Sequence, residues 1–482
     1  MVMKAKFLGR IIAVHFFPII IFLFLFSKNI FGQQGNVVQQ VDSAMNYLVK
    51  LKMFSGEVAI AIDNKLLYQK SFGLSNYRKE LPNQLNTKFN LGNISNFFTA
   101  LLIEQLEQEK KINYTDTIDK FIPGFASGEK SKITILDLIN ERSGLRNYEF
   151  DKSYIKQKYK IKSINDFLPI IKSEKLKFIP GTKTSPSSSG FIILDAIIEK
   201  VCHKNINDVL SERIFEPLKM NDSGLCIDCK DRAENSLGYY VLINGEIDDS
   251  TNFNFKGLEI YSTLEDLLKL DKELSAGNTI LRRESKLRLF TRDFLAVKNN
   301  SWENYSSNET FGIEGTAPGF DNIWYHFFKE KYTIIILSNF NEPSAQDVNY
   351  LIKMILFGRN YLLPLLPQSR FIYNQIEKNG INYFLNNYVE MFRKNHYEIS
   401  DFHTLDNAAK GMLQIHKNEW AIDILKLNAG LFSYIPYVYN NLADAYLRTN
   451  QIDEAISNYR KALKIDPKNE YAAKMLMSMG AL

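Results

Sequence analysis

The chain has 482 residues, of which 45% are hydrophobic and 13% are aromatic. This length and composition exclude a disordered chain and are sufficient for more than one folded domain. The formal net charge is +5, but the first 34 residues carry four of the basic side chains and no acidic one. Removing those four charges from +5 leaves +1, so the composition predicts no nucleic-acid partner.

The N-terminal segment predicts a secretory signal peptide over residues 1–32. A basic start precedes the apolar run at 11–26, and small and polar residues follow, with Gly32 placed as the last residue before cleavage. The alternative is an uncleaved membrane anchor, although 16 apolar residues are short for a spanning helix, which needs about 20. Either way the folded part is expected to be secreted or in the periplasm or cell envelope. Membrane contact is expected only if the segment stays uncleaved.

The cysteines and histidines predict no metal site and no cofactor. Of the three cysteines, Cys202 stands alone, and Cys226 and Cys229 form a CxxC pair. A zinc site would need a second CxxC or a nearby histidine, and neither is present. The pair is therefore expected to be a local disulfide or two free thiols.

Hydrophobic periodicity predicts a single domain over residues 36–360 whose sheet is closed by the two ends of that stretch. The predicted elements are a helix over 36–50, strands over 58–63 and 66–72 around Asn64–Lys65, strands over 323–328 and 332–338, and a helix from 345 to about 357. Strands at both ends with helical material between them favour this arrangement.

The C-terminal part predicts tetratricopeptide repeats over residues 401–482, after a linker and helical connector over 361–400. A period of 34 residues is strongest at 436–469, where eight residues fall on the signature positions: Tyr439, Leu442, Ala443, Tyr446, Ala455, Tyr459, Ala462 and Pro467. Stacked repeats bury each other's faces. Two repeats alone are therefore expected to pack against neighbouring helices or against the first domain. The tail is expected to bind a protein or peptide partner.

Several stretches between residues 40 and 360 resemble one enzyme family, the beta-lactamase-related, penicillin-binding serine hydrolases of the class C type. The stretches are Phe89–Ala100, Ile133–Ile139 with Ser143–Leu145, Phe215–Met220, Ser262–Leu267, Pro318–Phe320 and Leu337–Asn339. The resemblance implies an α+β fold. In it, an antiparallel sheet is flanked by helices, a helical subdomain is inserted, and the active site lies between them.

The resemblance places two amides at the first catalytic position. In that family a Ser begins a buried helix and a Lys one turn later takes its proton, whereas this chain has Asn93 and Asn96 there. An amide neither attacks a carbonyl at neutral pH nor accepts a proton as a base. Ser95 is two residues further on, about 200° around a helix, and is expected to be a packing residue.

The second and third catalytic positions also lack the family's residues. Pro186 and Ser188 stand in place of a Tyr-x-Asn motif, so no phenol remains as a general base. Ile313 replaces the cation of a Lys/His-x-Gly motif, and Gly315 is retained. Glu314 is expected to add a charge of the wrong sign for an anionic substrate.

The leading interpretation is a catalytically degenerate member of this family that binds a peptide, a cell-wall fragment or a protein partner. The alternative is an active beta-lactamase, D,D-peptidase or esterase-like enzyme with a nucleophile among Ser187–Ser189 and an unidentified base. A third interpretation treats the domain as support for the repeats, with no ligand in the old cleft. Ser-x-x-Lys also occurs at Ser127–Lys130 and Ser153–Lys156, where the helical context is absent and no catalysis is expected.

Overall fold

The computed structural model describes residues 36–125, 127–226, 235–249, 259–290, 292, 310–341 and 344–482. The predicted signal peptide and Cys229 lie outside these residues. Within the described ranges, no helix has the length and apolar character needed to cross a bilayer.

Twelve strands are described. They are β1 (Gly56–Ile62), β2 (Lys65–Phe72), β3 (Leu74–Asn76), β4 (Leu81–Pro82), β5 (Phe89–Asn90), β6 (Gly224–Cys226), β7 (Tyr239–Val241), β8 (Ile247–Asp249), β9 (Glu259–Ser262), β10 (Thr310–Ala317), β11 (Phe320–Phe327) and β12 (Tyr332–Ser338). The main sheet is antiparallel with the order β10-β11-β12-β1-β2, and β5, β9 and β6 form a smaller sheet. Because β1 pairs with β12, the two ends of the domain meet in the sheet, as predicted.

Nineteen α-helices are present in the described residues. They are α1 (36–50), α2 (Ser95–Gln108), α3 (Ile118–Phe121), α4 (Ile135–Ile139), α5 (Lys152–Gln157), α6 (Ile164–Ser173), α7 (Ser188–Cys202), α8 (Ile206–Leu210), α9 (Glu216–Leu218), α10 (Leu264–Ala276), α11 (Arg283–Phe290), α12 (Ala345–Leu356), α13 (Gln368–Asn379), α14 (Ile381–Lys394), α15 (His403–Gln414), α16 (Asn418–Leu431), α17 (Pro436–Arg448), α18 (Ile452–Ile465) and α19 (Glu470–Ser478). Short 3-10 helices span Gly92–Ile94, Gly128–Lys132, Tyr148–Phe150 and Lys158–Lys160, and a π-helical turn spans Ser211–Phe215.

The hairpin between β1 and β2 turns one residue earlier than the sequence pattern predicts. Asp63 and Asn64 occupy the turn, with φ values of +50° and +61°. Two consecutive residues with positive φ define the type I′ turn, whose twist matches that of paired strands. Asn64 tolerates this conformation better than Lys65, which begins β2 instead.

Helices cover both faces of the main sheet, which gives a three-layer domain. On the inner face, Asp271 of α10 accepts hydrogen bonds from Trp324 Nε1 (2.8 Å) and Thr333 Oγ1 (2.7 Å) of the sheet. On the outer face, Gln346 of α12 donates to the Tyr325 hydroxyl at 3.1 Å. The largest hydrophobic core lies between the inner face and α2, α7 and α10.

The chain divides into two compact units, and the second contains a piece of the first domain's sequence. Unit 1 comprises residues 1–239 and 249–363, and unit 2 comprises 240–248 and 364–482. In unit 2 the side chain of Ile243, from the hairpin between β7 and β8, joins the core of the repeat helices. The helices α17 and α18 form the strongest predicted repeat, and Ala443, Ala455, Tyr459 and Ala462 at its signature positions are fully buried.

Candidate functional site

The segment carrying Asn93 and Asn96 is held at the start of a deeply buried helix. Asn93 is exposed in the 3-10 turn that precedes α2, and Asn96 is half-buried in the first turn of that helix. Eleven of the 14 residues of α2 are buried, so the helix is fixed on nearly all sides. The amide of Asn93 is therefore presented to solvent on a rigid support.

The polar side chains of Ser95 and Asn90, around this turn, form hydrogen bonds within the fold. Ser95 is buried, and its Oγ accepts a 3.0 Å hydrogen bond from the backbone N–H of Ile260. Asn90 donates from Nδ2 to Glu259 Oε2 at 2.6 Å and accepts from the backbone N–H of Gly92 at 2.9 Å. Ser95 is thus the packing residue that its helical position predicts.

Two glycines allow the Asn93 turn to lie against the edge strand β10. Gly92 has a φ of +54°, and a Cβ there would come within 2.4 Å of the carbonyl oxygen of Thr316. A Cβ on Gly315 would come within 2.0 Å of the carbonyl oxygen of Leu91. Only a hydrogen atom fits in place of a side chain at either position. Glycine is therefore required at positions 92 and 315, where the backbones of the turn and of β10 approach each other closely.

Ile313 and Glu314 point to opposite faces of the sheet, which corrects one expectation. Ile313 lies opposite Trp324, is 3% exposed and belongs to the inner-face core, where Trp324 also contacts Phe97 of α2. Glu314 lies on the outer face and accepts a 2.7 Å hydrogen bond from Gln346 of α12. The expectation that Glu314 adds charge to the cleft is wrong, because side chains alternate along a strand. Removal from water raises the pKa of this carboxyl.

The serine-rich segment at the start of α7 is held in place by hydrogen bonds. Pro186 is exposed, and Ser187 caps the helix by accepting from the backbone N–H of Gly190 at 3.3 Å. Ser189 is fully buried and accepts from the backbone N–H of Tyr148 at 3.0 Å. Ser187 and Ser189 therefore both hold backbone groups in place, and Ser187 does so as the cap of α7.

Ser188 differs from its neighbours because its partner is a carboxylate. Its hydroxyl donates to Glu149 Oε2 at 2.7 Å, and both side chains are half-buried. Burial raises the pKa of Glu149, while the hydrogen bond from Ser188 and the charge of Lys177 partly oppose that rise. No sequence pattern predicted this pair, since the two residues lie 39 positions apart.

A second buried carboxyl joins the helices that carry these segments. Asp195 of α7 accepts a 2.7 Å hydrogen bond from Thr99 Oγ1 of α2. Burial raises the pKa of Asp195 to about 7. An aspartate inside the apolar run of α7 is the signal that could have drawn attention to it. With the glycine contacts to β10, this bond brings the three predicted segments around the N-terminal part of α2.

The chemistry available at this place is that of hydrogen bonding. Asn93, Asn96, Pro186 and Ile313 offer no group that titrates near neutral pH. In the ranges that the structure covers, no cluster of three or more histidine, cysteine, aspartate or glutamate side chains could hold a metal ion.

A separate groove of about 530 Å³ lies on the helical subdomain. Ser127 and Lys130 line it, but Lys130 Nζ donates to the carbonyl oxygen of Lys172 at 2.7 Å. Burial lowers the pKa of Lys130. This Ser-x-x-Lys stretch forms a loop and a 3-10 turn rather than the start of a buried helix, as its sequence context predicts.

A family model described as Beta-lactamase matches residues 39–356. The chain belongs to the beta-lactamase family. A model described as Tetratricopeptide repeat matches residues 436–469, so a repeat tail follows the beta-lactamase domain.

Curated relatives of this beta-lactamase family member include two bacterial proteins. A penicillin-binding protein of Bacillus subtilis is 27% identical over 346 residues, covering 66% of this chain and 75% of that protein. A teichoic acid D-alanine hydrolase of Staphylococcus aureus is 29% identical over 212 residues, covering 44% of this chain and 50% of that protein. The chain thus spans about half the length of the second relative.

Solved structures agree with the fold of this family. A penicillin-binding protein from Bacillus halodurans superposes with a TM-score of 0.56 at 22% identity, covering 65% of this chain and 98% of that one. A class C beta-lactamase gives a TM-score of 0.55 at 18% identity, covering 68% of this chain and 97% of that one. At these identities the likeness establishes the fold alone.

Proposed function

We propose that this chain is a catalytically degenerate member of the beta-lactamase family that binds a peptide or cell-wall fragment without turning it over. One observation carries the proposal: Asn93 is exposed on a turn that two glycines hold against β10, with no titratable side chain at Asn93, Asn96 or Ile313. Such a place retains shape and hydrogen-bonding capacity but offers neither the nucleophile nor the base of the family.

The names of the relatives suggest the ligand class. One is a penicillin-binding protein and the other a teichoic acid D-alanine hydrolase, so we propose a D-alanine-bearing peptide or ester as the ligand. The carboxamide of Asn93 can donate to a carbonyl and accept from an amide of such a ligand. The location that we propose is outside the cytoplasm, after cleavage of residues 1–32.

The repeat tail supports a second part of the proposal, a protein or peptide partner. Tetratricopeptide units present extended surfaces that bind other chains. Large side chains are exposed on this tail, with Tyr434 at 72%, Tyr471 at 46% and Tyr437 at 41%. Aromatic side chains of this kind often anchor protein interfaces.

Calorimetric titration of residues 33–482 with D-alanyl-D-alanine peptides tests ligand binding in the cleft. We expect saturable binding that Asn93→Arg abolishes, because a long cation would fill the space beside β10. The matched control is Asn113→Arg, since Asn113 is exposed elsewhere in the same domain. Equal binding by both variants, or none by the parent protein, would contradict the proposal.

One observation favours a second candidate function, an esterase-like hydrolase. Ser188 Oγ, hydrogen-bonded to Glu149 at 2.7 Å, could attack an ester carbonyl while its proton passes to Glu149. Glu149 would then protonate the departing alcohol, and water would release the acyl group from Ser188. Against this, the hydrogen-bonded carboxylate is a weak base for a serine.

Labelling with a fluorescent fluorophosphonate separates the two candidates. We expect no adduct on the parent protein. An adduct that disappears in Ser188→Ala and Glu149→Gln but persists in Ser185→Ala would establish the hydrolase instead. Ser185 is a suitable control because it lies in the serine-rich segment and its hydroxyl accepts a hydrogen bond from Lys177, at 3.3 Å, rather than pairing with a carboxylate.

A further inference from the structure

Two short segments of the helical subdomain concentrate positive charge. Residues 150–162 contain five lysines and one aspartate, and residues 172–179 contain three lysines and one glutamate. These eight lysines against two carboxyls give a formal charge of +6. Since the chain after residue 34 carries +1 in total, the rest of the chain after residue 34 carries −5. The charge of the protein is therefore strongly polarised.

The two segments are neighbours in space and form what we call the basic–apolar surface. Arg146 donates from Nε to the carbonyl oxygen of Lys175 at 3.1 Å and lies 3.8 Å from the Glu174 carboxylate. Asp151 and Glu174 are hydrogen-bonded to each other, which lowers the pKa of Asp151 to about 2 and raises that of Glu174. The acidic groups of this surface thus engage each other rather than its lysines.

Large apolar side chains stand among these lysines and face solvent. Phe150 is 82% exposed, Ile155 is 53% exposed, and Tyr159 and Ile179 are each 59% exposed. The short helix α5 is held by Tyr154, which is buried with its ring centroid 5.0 Å from that of Tyr148. The fixed inner side of α5 leaves Ile155 and its neighbouring lysines on the outside.

We propose that the basic–apolar surface docks onto an anionic phospholipid bilayer. Lysines of 150–162 and 172–179 would meet lipid phosphates, while Phe150 and Ile155 enter the interfacial layer. A soluble polyanion would account for the lysines but gives exposed Phe and Ile side chains nothing to bury against. The groove described above opens beside this surface, with Lys172, Lys175 and Ile179 on its walls.

This docking does not depend on what the cleft binds, and it differs from anchoring by the N-terminal segment. Glu149, the partner of Ser188, directly precedes Phe150 in the chain. A docked protein would therefore hold the Ser188–Glu149 pair close to the membrane surface. Ligands attached to lipids would be within reach there.

Vesicle co-sedimentation of residues 33–482 tests the charge component. We expect binding to vesicles of phosphatidylglycerol with phosphatidylcholine, weakening with added salt, and none to phosphatidylcholine alone. Reversing Lys152, Lys156 and Lys160 to Glu should weaken binding about tenfold or more. The control reverses three exposed lysines of unit 2, Lys378, Lys394 and Lys464, with the same change in net charge and no expected effect.

The apolar component distinguishes a membrane from a soluble polymer. The double variant Phe150→Ser and Ile155→Ser should bind anionic vesicles several-fold more weakly while its net charge stays the same, and thermal unfolding would verify that it folds. If the serine variant binds as well as the parent protein and soluble polyphosphate competes fully, the surface binds a polyanion instead. Absence of binding to anionic vesicles would also overturn the proposal.

Discussion

The hydroxyl of Ser188 and the carboxylate of Glu149 form a 2.7 Å hydrogen bond at the N-terminus of α7. Two opposing effects act on this carboxylate. Burial raises its pKa, whereas the hydrogen bond and the positive charge of Lys177 lower it. The protonation state of the Glu149 carboxyl is therefore sensitive to single substitutions around it.

We expect Ser188→Ala to raise the pKa of Glu149, because the substitution removes a hydrogen bond to the charged form. Lys177→Gln should shift the pKa in the same direction by removing a favourable charge. Carbon-13 NMR titration of side-chain-labelled glutamate would measure both shifts. Ser127→Ala, which removes none of the groups that act on Glu149, should leave the Glu149 resonance unchanged, and a lowered pKa in Ser188→Ala would contradict the assignment.

The buried Glu57 of β1 predicts a loss of stability at alkaline pH. It is fully buried, accepts only a 3.1 Å hydrogen bond from Ser71, and has a pKa raised to about 8 by burial. The folded state therefore keeps the proton that the unfolded chain releases near the ordinary glutamate pKa of 4.5. The contribution of Glu57 to the free energy of unfolding is therefore full below pH 4.5 and is lost as the pH rises towards 8.

Replacing Glu57 with Gln should remove this pH dependence. Melting temperatures measured from pH 5 to 9 should fall for the parent protein and stay flatter for Glu57→Gln, because the amide does not titrate. Glu284→Gln is the control, since Glu284 is exposed in the same unit. A parallel decline for parent and Glu57→Gln would show that Glu57 is not the source.

Restoring a cation at position 313 should destabilise the protein. Ile313 is 3% exposed in the inner-face core, so Ile313→Lys would bury an ammonium group without a partner. We expect a loss of about 3–5 kcal/mol, whereas Ile313→Val should lose about 0.5–1.5 kcal/mol. Denaturant titration of the whole chain would measure the free energy of unfolding of both variants. Equal stability of the two variants would mean that a polar environment exists beside position 313.

The contact between the Asn93 turn and β10 predicts a large effect of one added methyl group. In Gly315→Ala, the new Cβ would meet the carbonyl oxygen of Leu91 at 2.0 Å, so we expect a loss of about 1–3 kcal/mol and weaker cleft binding. Gly224→Ala is the matched control because a Cβ there meets nothing within 4 Å. Its stability should change by less than about 0.5 kcal/mol.

The sequence predicted features that depend on local pattern. Alternating apolar residues predicted the strands that became β1 and β12, and the 34-residue period predicted the buried Ala443 and Tyr459 of the repeat. The sequence did not predict that the Glu314 side chain points to the outer face of the sheet, because this depends on which face α12 packs against. The Ser188–Glu149 pair was missed for a related reason, since no local pattern joins the first residue of α7 to a distant 3-10 turn.

The packing of Ile243 has a consequence for how such chains can evolve. A Cβ added to Gly411 of α15 would lie 2.9 Å from the Cβ of Ile243, so the glycine and the isoleucine fit each other closely within unit 2. A recombination event that exchanged only the tail after residue 364 would separate these two residues. Inheritance of the repeats is thereby linked to nine residues encoded far upstream, at 240–248. The tail and the hairpin residues 240–248 are therefore expected to be inherited together, although they are far apart in the sequence.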